Sequence, residues 1–498
     1  MHTAGLLSVL LAVAVSHALQ IDTIARNFLT IGNNQTLGEV EYIREKLDHF
    51  REVESDQLTY ENPRKMNDAP LGSMVDVSDQ HILKDTPNLG EINKNLKQYL
   101  YQGDIALTAN QITELLSRPK RQAYKDSHFP RFRWQRDNEG TIPYYFDSSI
   151  DERVKGLIRQ ALNYWEERTC LRFEENGIQR PTIRFFRGDG CWSYIGKISF
   201  WSQQDISIGQ SCEHFGTIAH EIGHALGFFH AQSRHDRDEY VSFKPENVER
   251  GSIGQFNKET SSTNDNYGMP YDYGSVMHYS DESFAKDAHN PVLVARNKLH
   301  QQTMGSRVAP SFVDVLLMNT HYQCLERCAN RSNKCQNGGY LSPKNCNECI
   351  CPWGFEGPLC GERGTGYNGT SKVDCGKTVQ ATDDWKPLQG MVGSKSKAPR
   401  DFHDSCHWHI KASKGRTVQI SVVFVGPVCS SGCFYGNAEF KMNADFGSTG
   451  YRMCCAHHKR GDMVLTSETD LAVVSLYSRY YYEEFKIFYR QTNTTEQS

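Results

Sequence analysis

The chain has 498 residues, 38% of them apolar, which at roughly 150 residues per domain is material for about three domains and excludes a single small module. Lys and Arg number 55 against 59 Asp and Glu, a formal charge of -4, and no basic block is long enough to neutralise a phosphate backbone, so nucleic acid is not an expected partner. Sixteen cysteines are present, none before Cys170 and twelve from Cys328 to Cys455, so disulfide-built modules are expected toward the C-terminus.

In chain order, residues 4–15 form an apolar run followed by Ser16-His17-Ala18, with small residues at -3 and -1, which reads as a secretion signal over 1–18. Such a run is too short to span a bilayer, and no other stretch approaches 18 uninterrupted apolar residues, so no membrane span is expected and the protein is expected to be secreted and extracellular. Sequons at Asn34, Asn330, Asn368 and Asn493 are glycosylation candidates on that route. Residues 19–121 are cysteine-free and highly charged. Val40, Ile43, Leu47 and Phe50 repeat at helical spacing there, and Ile92, Leu96, Tyr99 and Leu100 predict a second helix. The segment ends in Arg118-Pro119-Lys120-Arg121, a site of the kind secretory convertases cut after Arg121, which makes 19–121 a propeptide and Gln122 the mature N-terminus.

From Ile142 to Phe146 the pattern is a strand, then a helix with Val154, Leu157, Ile158, Ala161 and Trp165 on one face, for which Ser149 and Glu152 offer a capping box. Strands over 182–186 and 195–200 and a helix over about 216–226 complete an α+β pattern. Residues 328–360 carry six cysteines in about 33 residues, too little chain for a hydrophobic core, so bridges must supply the stability. From Cys375 to about residue 490, alternating apolar runs such as 418–422 and 471–474 read as strands of a β-sandwich, with a further aromatic strand over 477–489.

The chemistry concentrates in His220-Glu221-Ile222-Gly223-His224-Ala225-Leu226-Gly227-Phe228-Phe229-His230. Residues four apart share a helix face, so His220 and His224 can aim ring nitrogens at one metal ion, with Glu221 offset by about 100° beside it. Gly227 can adopt the left-handed conformation that ends a helix, letting His230 return as a third ligand. Three neutral imidazoles around Zn²⁺ leave a position open for water of lowered pKa. Glu221 can take its proton, orient it toward a scissile carbonyl and pass the proton to the leaving amine. At this composition chance gives H-E-x-x-H about 4% of the time, and requiring Gly227 and His230 as well reduces that to roughly 1 in 10⁴.

These residues resemble the metzincin zinc signature, and Ser275-Val276-Met277-His278-Tyr279 is similar to that clan's Met-turn as the astacin family uses it. Ser233-Arg234-x-Asp236-Arg237-Asp238, Gly190-Cys191-Trp192-Ser193-Tyr194 and Ser311-Phe312-x-Asp314 extend the astacin resemblance over about 122–324. The resemblance implies one Zn²⁺ per subunit, an apolar base at Met277, and Tyr279 as a displaceable fifth ligand whose phenol stabilises the developing oxyanion. It also implies the pairings Cys170 with Cys324 and Cys191 with Cys212, and an edge strand after Cys191 along which an extended substrate lies antiparallel. Tyr101-Gln102-Gly103-Asp104 is similar to the F-x-G-D motif of astacin propeptides, which implies Asp104 as a metal ligand in the zymogen only. One departure stands out. Astacins usually carry Glu directly after the third histidine to engage the buried new N-terminus; Ala231 here implies an N-terminus that is not locked inside.

Cys328, Cys335, Cys346, Cys349, Cys351 and Cys360 resemble an EGF-like module over 325–361, and Cys375 onward with Cys406 resembles a CUB domain over 375–490, with a tail at 491–498. Cys429, Cys433, Cys454 and Cys455 would add two bridges there, their partners left open by the adjacency of Cys454 and Cys455. The expected whole is multidomain: an α+β metzincin-type catalytic domain, a small disulfide-rich EGF-like module and an all-β CUB sandwich. The expected function is a secreted, convertase-activated zinc metalloendopeptidase acting on extracellular or matrix proteins by Glu-assisted attack of zinc-bound water. The alternative is a catalytically inactive binding protein on a protease scaffold, and retention of Glu221 separates the two. Substrate identity and oligomeric state leave no mark in the sequence.

Overall fold

A computed structural model describes residues 35–60, 81–82, 88–117, 122–123, 133–134 and 141–493. The signal segment 1–18, Asn34 and Arg121 lie outside the described residues.

The N-terminal segment begins with helix α1 (Leu37–Tyr60), whose Val40, Ile43 and Leu47 are buried as the 3.6 period requires. The second predicted helix is not continuous. It is a four-residue helix α2 (Leu89–Ile92) followed by turns, because the Asn93 side chain leaves the helix to fasten the chain to residues distant in sequence. Its Nδ2 donates to Gly103 O at 2.9 Å and Cys191 O at 2.6 Å, and its Oδ1 accepts from Cys191 N at 2.9 Å. Leu96, Tyr99 and Leu100 are nevertheless buried. Tyr101 and Ile105 then exchange two backbone hydrogen bonds, 2.8 and 3.0 Å, so residues 102–104 form the tip of a tight loop ahead of strand β1 (Ile105–Ala106) and helix α3 (Ala109–Ser117).

A six-stranded sheet is formed by β1, β2 (Ile142–Phe146), β3 (Phe173–Glu175), β4 (Thr182–Phe186), β5 (Cys191–Tyr194) and β6 (Gln203–Ile208), in the spatial order β1-β5-β6-β4-β2-β3. Neighbours are parallel except β5 with β6. Two helices, α4 (Glu152–Arg168) and α5 (Phe215–Ala225), cover one face, packing Leu157, Ile158, Trp165, Ile218 and Ile222 on Ile183, Phe185 and Ile206. On the other face Phe186, Trp192 and Tyr194 are covered by Val40, Leu96, Tyr99 and Leu100 of the N-terminal segment. That segment thus closes both a sheet edge and an apolar sheet face.

Three further local features depart from the sequence pattern or add to it. Helix α4 is capped by Asp151, whose side chain accepts from Val154 N at 3.0 Å, and not by Ser149 with Glu152; Ser149 is drawn instead to Asp147 Oδ1, 3.0 Å from its nitrogen and 2.7 Å from its hydroxyl. Residues 195–200 are a loop, not a strand, because the Gln204 side chain takes their backbone groups: its Oε1 accepts from Ile198 N at 3.0 Å and its Nε2 donates to Gly196 O at 2.7 Å. A capping box does occur at Ser311 and Asp314, opening helix α6 (Phe312–His321), which periodicity had not singled out.

All sixteen cysteines are paired. Cys170–Cys324 and Cys191–Cys212 join as the resemblance implied. Cys328–Cys346, Cys335–Cys349 and Cys351–Cys360 staple a small unit of two short hairpins. Beyond it lies a β-rich region of a seven-stranded and a five-stranded sheet, with Cys375–Cys406, Cys429–Cys455 and Cys433–Cys454. Its core includes Trp408, Ile410, Val418, Ile420, Val422, Leu476 and Phe485. The expected aromatic strand over 477–489 is two strands in different sheets. Leu471–Ser478 belongs to the larger sheet and Tyr482–Asn493 to the smaller, and the chain crosses over at Tyr481, whose φ is +55°. His81–Ile82 pairs in parallel with Val428–Cys429, so the N-terminal segment also reaches this region. Asn330, Asn368 and Asn493 are exposed. No described helix is long and apolar enough to cross a membrane.

Candidate metal centre and active site

Helix α5 carries His220 and His224 on one face, and their Nε2 atoms lie 3.0 Å apart. The helix stops at Leu226. Gly227, with φ +107°, turns the chain, and backbone bonds from Gly227 N to His224 O (2.8 Å) and Phe228 N to Gly223 O (3.0 Å) close that turn. His230 thereby returns with its ring centroid 5.2 Å from that of His220 and 4.7 Å from that of His224. All three histidines are buried.

Each ring is oriented from behind. His220 Nδ1 donates to Val276 O at 2.8 Å, His224 Nδ1 to Phe228 O at 2.6 Å and His230 Nδ1 to Gln102 Oε1 at 3.0 Å. A carbonyl oxygen can only accept, so these bonds put the proton on Nδ1 and leave the three Nε2 lone pairs facing one point, the second-layer pattern of a metal-binding histidine. Burial pushes the imidazole of His220 down to about 3 and that of His230 down to about 4, which keeps both neutral.

The fourth group is Asp104 from the tip of the N-terminal loop. Its carboxylate lies 3.1 Å from His220 Nε2, 3.3 Å from His224 Nε2 and 3.1 Å from His230 Nε2. Burial raises this carboxyl, but His230, His224 and His220 outweigh it and hold it well below the usual range. Three imidazole nitrogens and a carboxylate oxygen within 4.8 Å of one another suit tetrahedral Zn²⁺, and Asp104 Oδ1 is buried with no hydrogen-bond partner, as a metal ligand's oxygen would be.

Glu221 is fully buried beside this group, and neither carboxylate oxygen has a hydrogen-bond partner among the described residues. Burial and then the negative charge of Asp104 push its carboxyl well above the ordinary range. Met277 packs beneath the helix: a Cβ on Gly223 would come 2.8 Å from its sulfur and would displace the methionine. Tyr279 donates its phenol proton to Gln102 O and lies with its ring 4.5 Å from that of His230; burial raises its phenol well above its usual value, so it is a neutral donor. Its position is the one from which it could instead serve an oxyanion.

The Met-turn is gripped by Asp314, the capping residue of α6, which accepts from Val276 N at 2.8 Å and from the Ser275 hydroxyl at 2.5 Å. The loop 101–104 is held by groups that the sequence did not single out. Gln255 Oε1 accepts from Gly103 N at 2.7 Å, and Glu259 Oε1 accepts from the Tyr101 hydroxyl and from Gln102 Nε2, each at 2.7 Å. Gly103 has φ +80°, and a Cβ on it would meet Phe284 at 2.7 Å and the Tyr279 oxygen at 2.8 Å, so only glycine brings the aspartate this close. The edge strand β5 is occupied: Ile105 and Ala106 pair in parallel with Ser193 and Tyr194. Ala231 lines a cavity of about 80 Å³ with Asp272, Ser275 and Asp314.

With this geometry in hand, comparison with known proteins is direct. The family model Astacin (Peptidase family M12A) matches residues 128–323. Zinc metalloproteinase nas-31 of Caenorhabditis elegans is 40% identical over 406 residues, covering 79% of this chain and 64% of that protein, so the chain spans less than two thirds of this relative. Zinc metalloproteinase nas-27 of the same organism is 37% identical over 417 residues, covering 81% of this chain and 93% of that protein. Among solved structures, high choriolytic enzyme 1, a hatching enzyme zinc-protease from Oryzias latipes (Medaka fish), aligns over 41% of this chain and 99% of that one at 29% identity, with a TM-score of 0.37. The similarity to nas-27 extends nearly end to end and includes the region of the histidine and Met-turn segments, so this chain belongs to the astacin family of zinc metalloproteinases.

Proposed function

We propose that the chain is a secreted zymogen, with signal 1–18, propeptide 19–121 and catalytic domain 122–324, that a convertase activates by cutting after Arg121, and that the activated enzyme hydrolyses peptide bonds of extracellular or matrix proteins. The observation that carries this reading is the Asp104 carboxylate 3.1 to 3.3 Å from three histidine nitrogens, at the position an attacking group would need, with β1 lying on the sheet edge a substrate would need. Both obstructions belong to one segment, and one cut would release both. The eight disulfides suit an oxidising, extracellular setting.

His220, His224 and His230 would hold the zinc, which would supply Lewis acidity to the site. The protein supplies the rest. Glu221, placed beside the three histidines on helix α5, takes the proton of the attacking water and returns it to the leaving amine. Tyr279, released from Gln102 O, donates its phenol hydrogen bond to the developing oxyanion. Backbone groups of β5, freed from Ile105 and Ala106, bind the extended substrate. Residues 325–361 act as an EGF-like module and 375–490 as a CUB domain, both supporting or binding elements and not catalysts.

The test is cleavage of protein and peptide substrates by the purified chain before and after convertase treatment, with a zinc chelator and Glu221→Ala as controls. Cleavage should appear only after the cut and vanish in both controls. An activated chain holding stoichiometric zinc yet cleaving nothing in a broad proteome-derived peptide set would overturn the peptidase reading in favour of a binding scaffold.

A further inference from the structure

Residues 272–279 form the floor of the site, carrying Met277 beneath the histidines and the Val276 carbonyl that orients His220. The upstream flank of this segment touches the C-terminal β-rich region directly, and the downstream flank is linked to it through residues 303–307. Upstream, Asp272 is buried. Its Oδ1 accepts from Gly274 N at 3.1 Å, closing the turn into the Met-turn, and also from Thr449 N at 3.3 Å, while its Oδ2 accepts from the Thr449 hydroxyl at 3.1 Å. Thr449 fits closely over Gly274, where a Cβ would approach its hydroxyl to 2.6 Å. Tyr273 stacks on His300 with centroids 4.3 Å apart and planes 11° apart, and His300 in turn meets Tyr451 at 4.7 Å.

Downstream, Arg307 donates to His278 O at 2.9 Å. The adjacent Ser306 hydroxyl accepts from the Arg452 guanidinium, and the Thr303 hydroxyl accepts from Arg452 N at 3.0 Å. Arg452 is itself fixed by Glu439, 3.0 Å away, and lies over the rings of Trp353 and Tyr477. Lys441, with its ammonium bonded to Phe446 O at 2.6 Å and Ser448 O at 2.9 Å, brings a positive charge toward Asp272.

Charge gives this contact a direction. Asp272 and Asp314 are both buried beside the Met-turn, and like charges so placed repel unless each is satisfied. Asp314 is satisfied from within, by Val276, Ser275 and Ser311. Asp272 is satisfied partly from outside, by Thr449, with Lys441 as the nearby charge. We propose that the C-terminal β-rich region is a positioning element of the metal site, and that Thr449 on Asp272, with Arg452 on Ser306, clamps both flanks of the Met-turn and thereby holds the floor beneath the histidines. Thr449 touches neither substrate nor metal, and acts through Asp272.

The experiment uses the full-length uncut chain and needs no peptidase activity, so it stands apart from the test of function. Amide hydrogen exchange over 273–279 and the rate of zinc loss to a chelator are compared in the unsubstituted chain, Thr449→Val, Thr449→Ser and, as a control on the other sheet, Met391→Ala. Thr449→Val should raise exchange over 273–279 and speed zinc loss by about tenfold each, the effect of one lost buried hydrogen bond. Thr449→Ser should restore both and Met391→Ala should change neither. If Thr449→Val is not secreted, Tyr451→Leu, which removes the ring against His300 and a 3.5 Å contact with Asn297, carries the same expectation. Unchanged exchange and zinc retention in a folded Thr449→Val or Tyr451→Leu chain would overturn the proposal and leave the region as a module that merely rests on the catalytic domain.

Discussion

Replacing Asp104 by Ala removes the one charged group that the N-terminal segment places among the histidines. Its carboxylate sits 3.1 to 3.3 Å from three Nε2 atoms in a fully buried site; with a divalent cation held by these neutral imidazoles it would be the buried counter-charge, and truncating one partner of such a pair costs about 3–5 kcal/mol. At about 1.4 kcal/mol per decade this multiplies the open fraction roughly 10²- to 10⁴-fold. It does not empty the closed state. Leu100, Ile105 and Ile112 remain fully buried, each worth about 1.5–3 kcal/mol, and Gln255 and Glu259 still hold the loop backbone and side chains. The prediction is therefore partial release. In a chain made uncleavable by Arg121→Ala, Asp104→Ala should cleave a fluorogenic peptide at least 10²-fold faster than Arg121→Ala alone, yet more slowly than the convertase-treated enzyme. Ile105→Ala should release less activity, because it loosens packing and leaves the carboxylate in place. An uncleavable Asp104→Ala chain that binds zinc stoichiometrically and stays as silent as its parent would refute the reasoning, placing the block in β1 and the covered sheet edge.

Tyr279→Phe keeps the buried ring and removes only the phenol hydroxyl, so the activated enzyme should lose roughly 10²-fold in kcat with KM and zinc content little changed; steady-state kinetics checks it, and an unchanged kcat would remove Tyr279 from catalysis. Acid should weaken the C-terminal region. Burial pushes His407 and His409 down to about 4 from an ordinary 6.5, so between those values the unfolded chain takes up protons that the folded chain refuses. Stability should fall as pH drops from about 6.5 to 4, by about 1.4 kcal/mol per pH unit for each, and level off above 7. Urea unfolding at pH 5 and pH 7.5 reads the difference, and His407→Gln should remove about half of it; equal stability of the unsubstituted chain at the two values would refute it. After activation, the N-terminus at Gln122 should lie outside the cavity beside Ala231, where Asp272 is already engaged by Gly274 and Thr449 and Asp314 by Val276, Ser275 and Ser311. N-terminal sequencing and proton exchange of the mature enzyme check this, and a free ammonium ordered inside that cavity would contradict it.

The metal helix was legible because its information is local. His220 and His224 are four residues apart on a helix, and Gly227 is where the chain must turn to bring back His230, so period and backbone freedom place all three without knowledge of the rest of the fold. The same locality explains α1 and α4, whose apolar stripes are complete in sequence, whereas Asp104 was singled out by the resemblance of Tyr101-Gln102-Gly103-Asp104 to the astacin propeptide motif. Where local signals competed with distant partners, they lost. Asn93 ended the second predicted helix because Cys191 of β5 offered its side chain two hydrogen bonds and Gly103 a third, and Gln204 turned 195–200 into a loop by taking its backbone groups.

Composition and spacing by themselves determined the disulfide-rich C-terminus, the three-histidine centre with its neighbouring glutamate, and the break between cysteine-free and cysteine-bearing chain. Tertiary structure alone decided which carbonyls orient the histidines, that β1 runs parallel on the β5 edge, that Cys455 joins Cys429 while its neighbour Cys454 joins Cys433, and that Thr449 and Arg452 bear on the Met-turn. The physical reason is range. A helix face or a turn is set by dihedral angles a few residues apart, whereas Thr449 and Asp272 are separated by 177 residues and meet only because two domains bury their surfaces against each other.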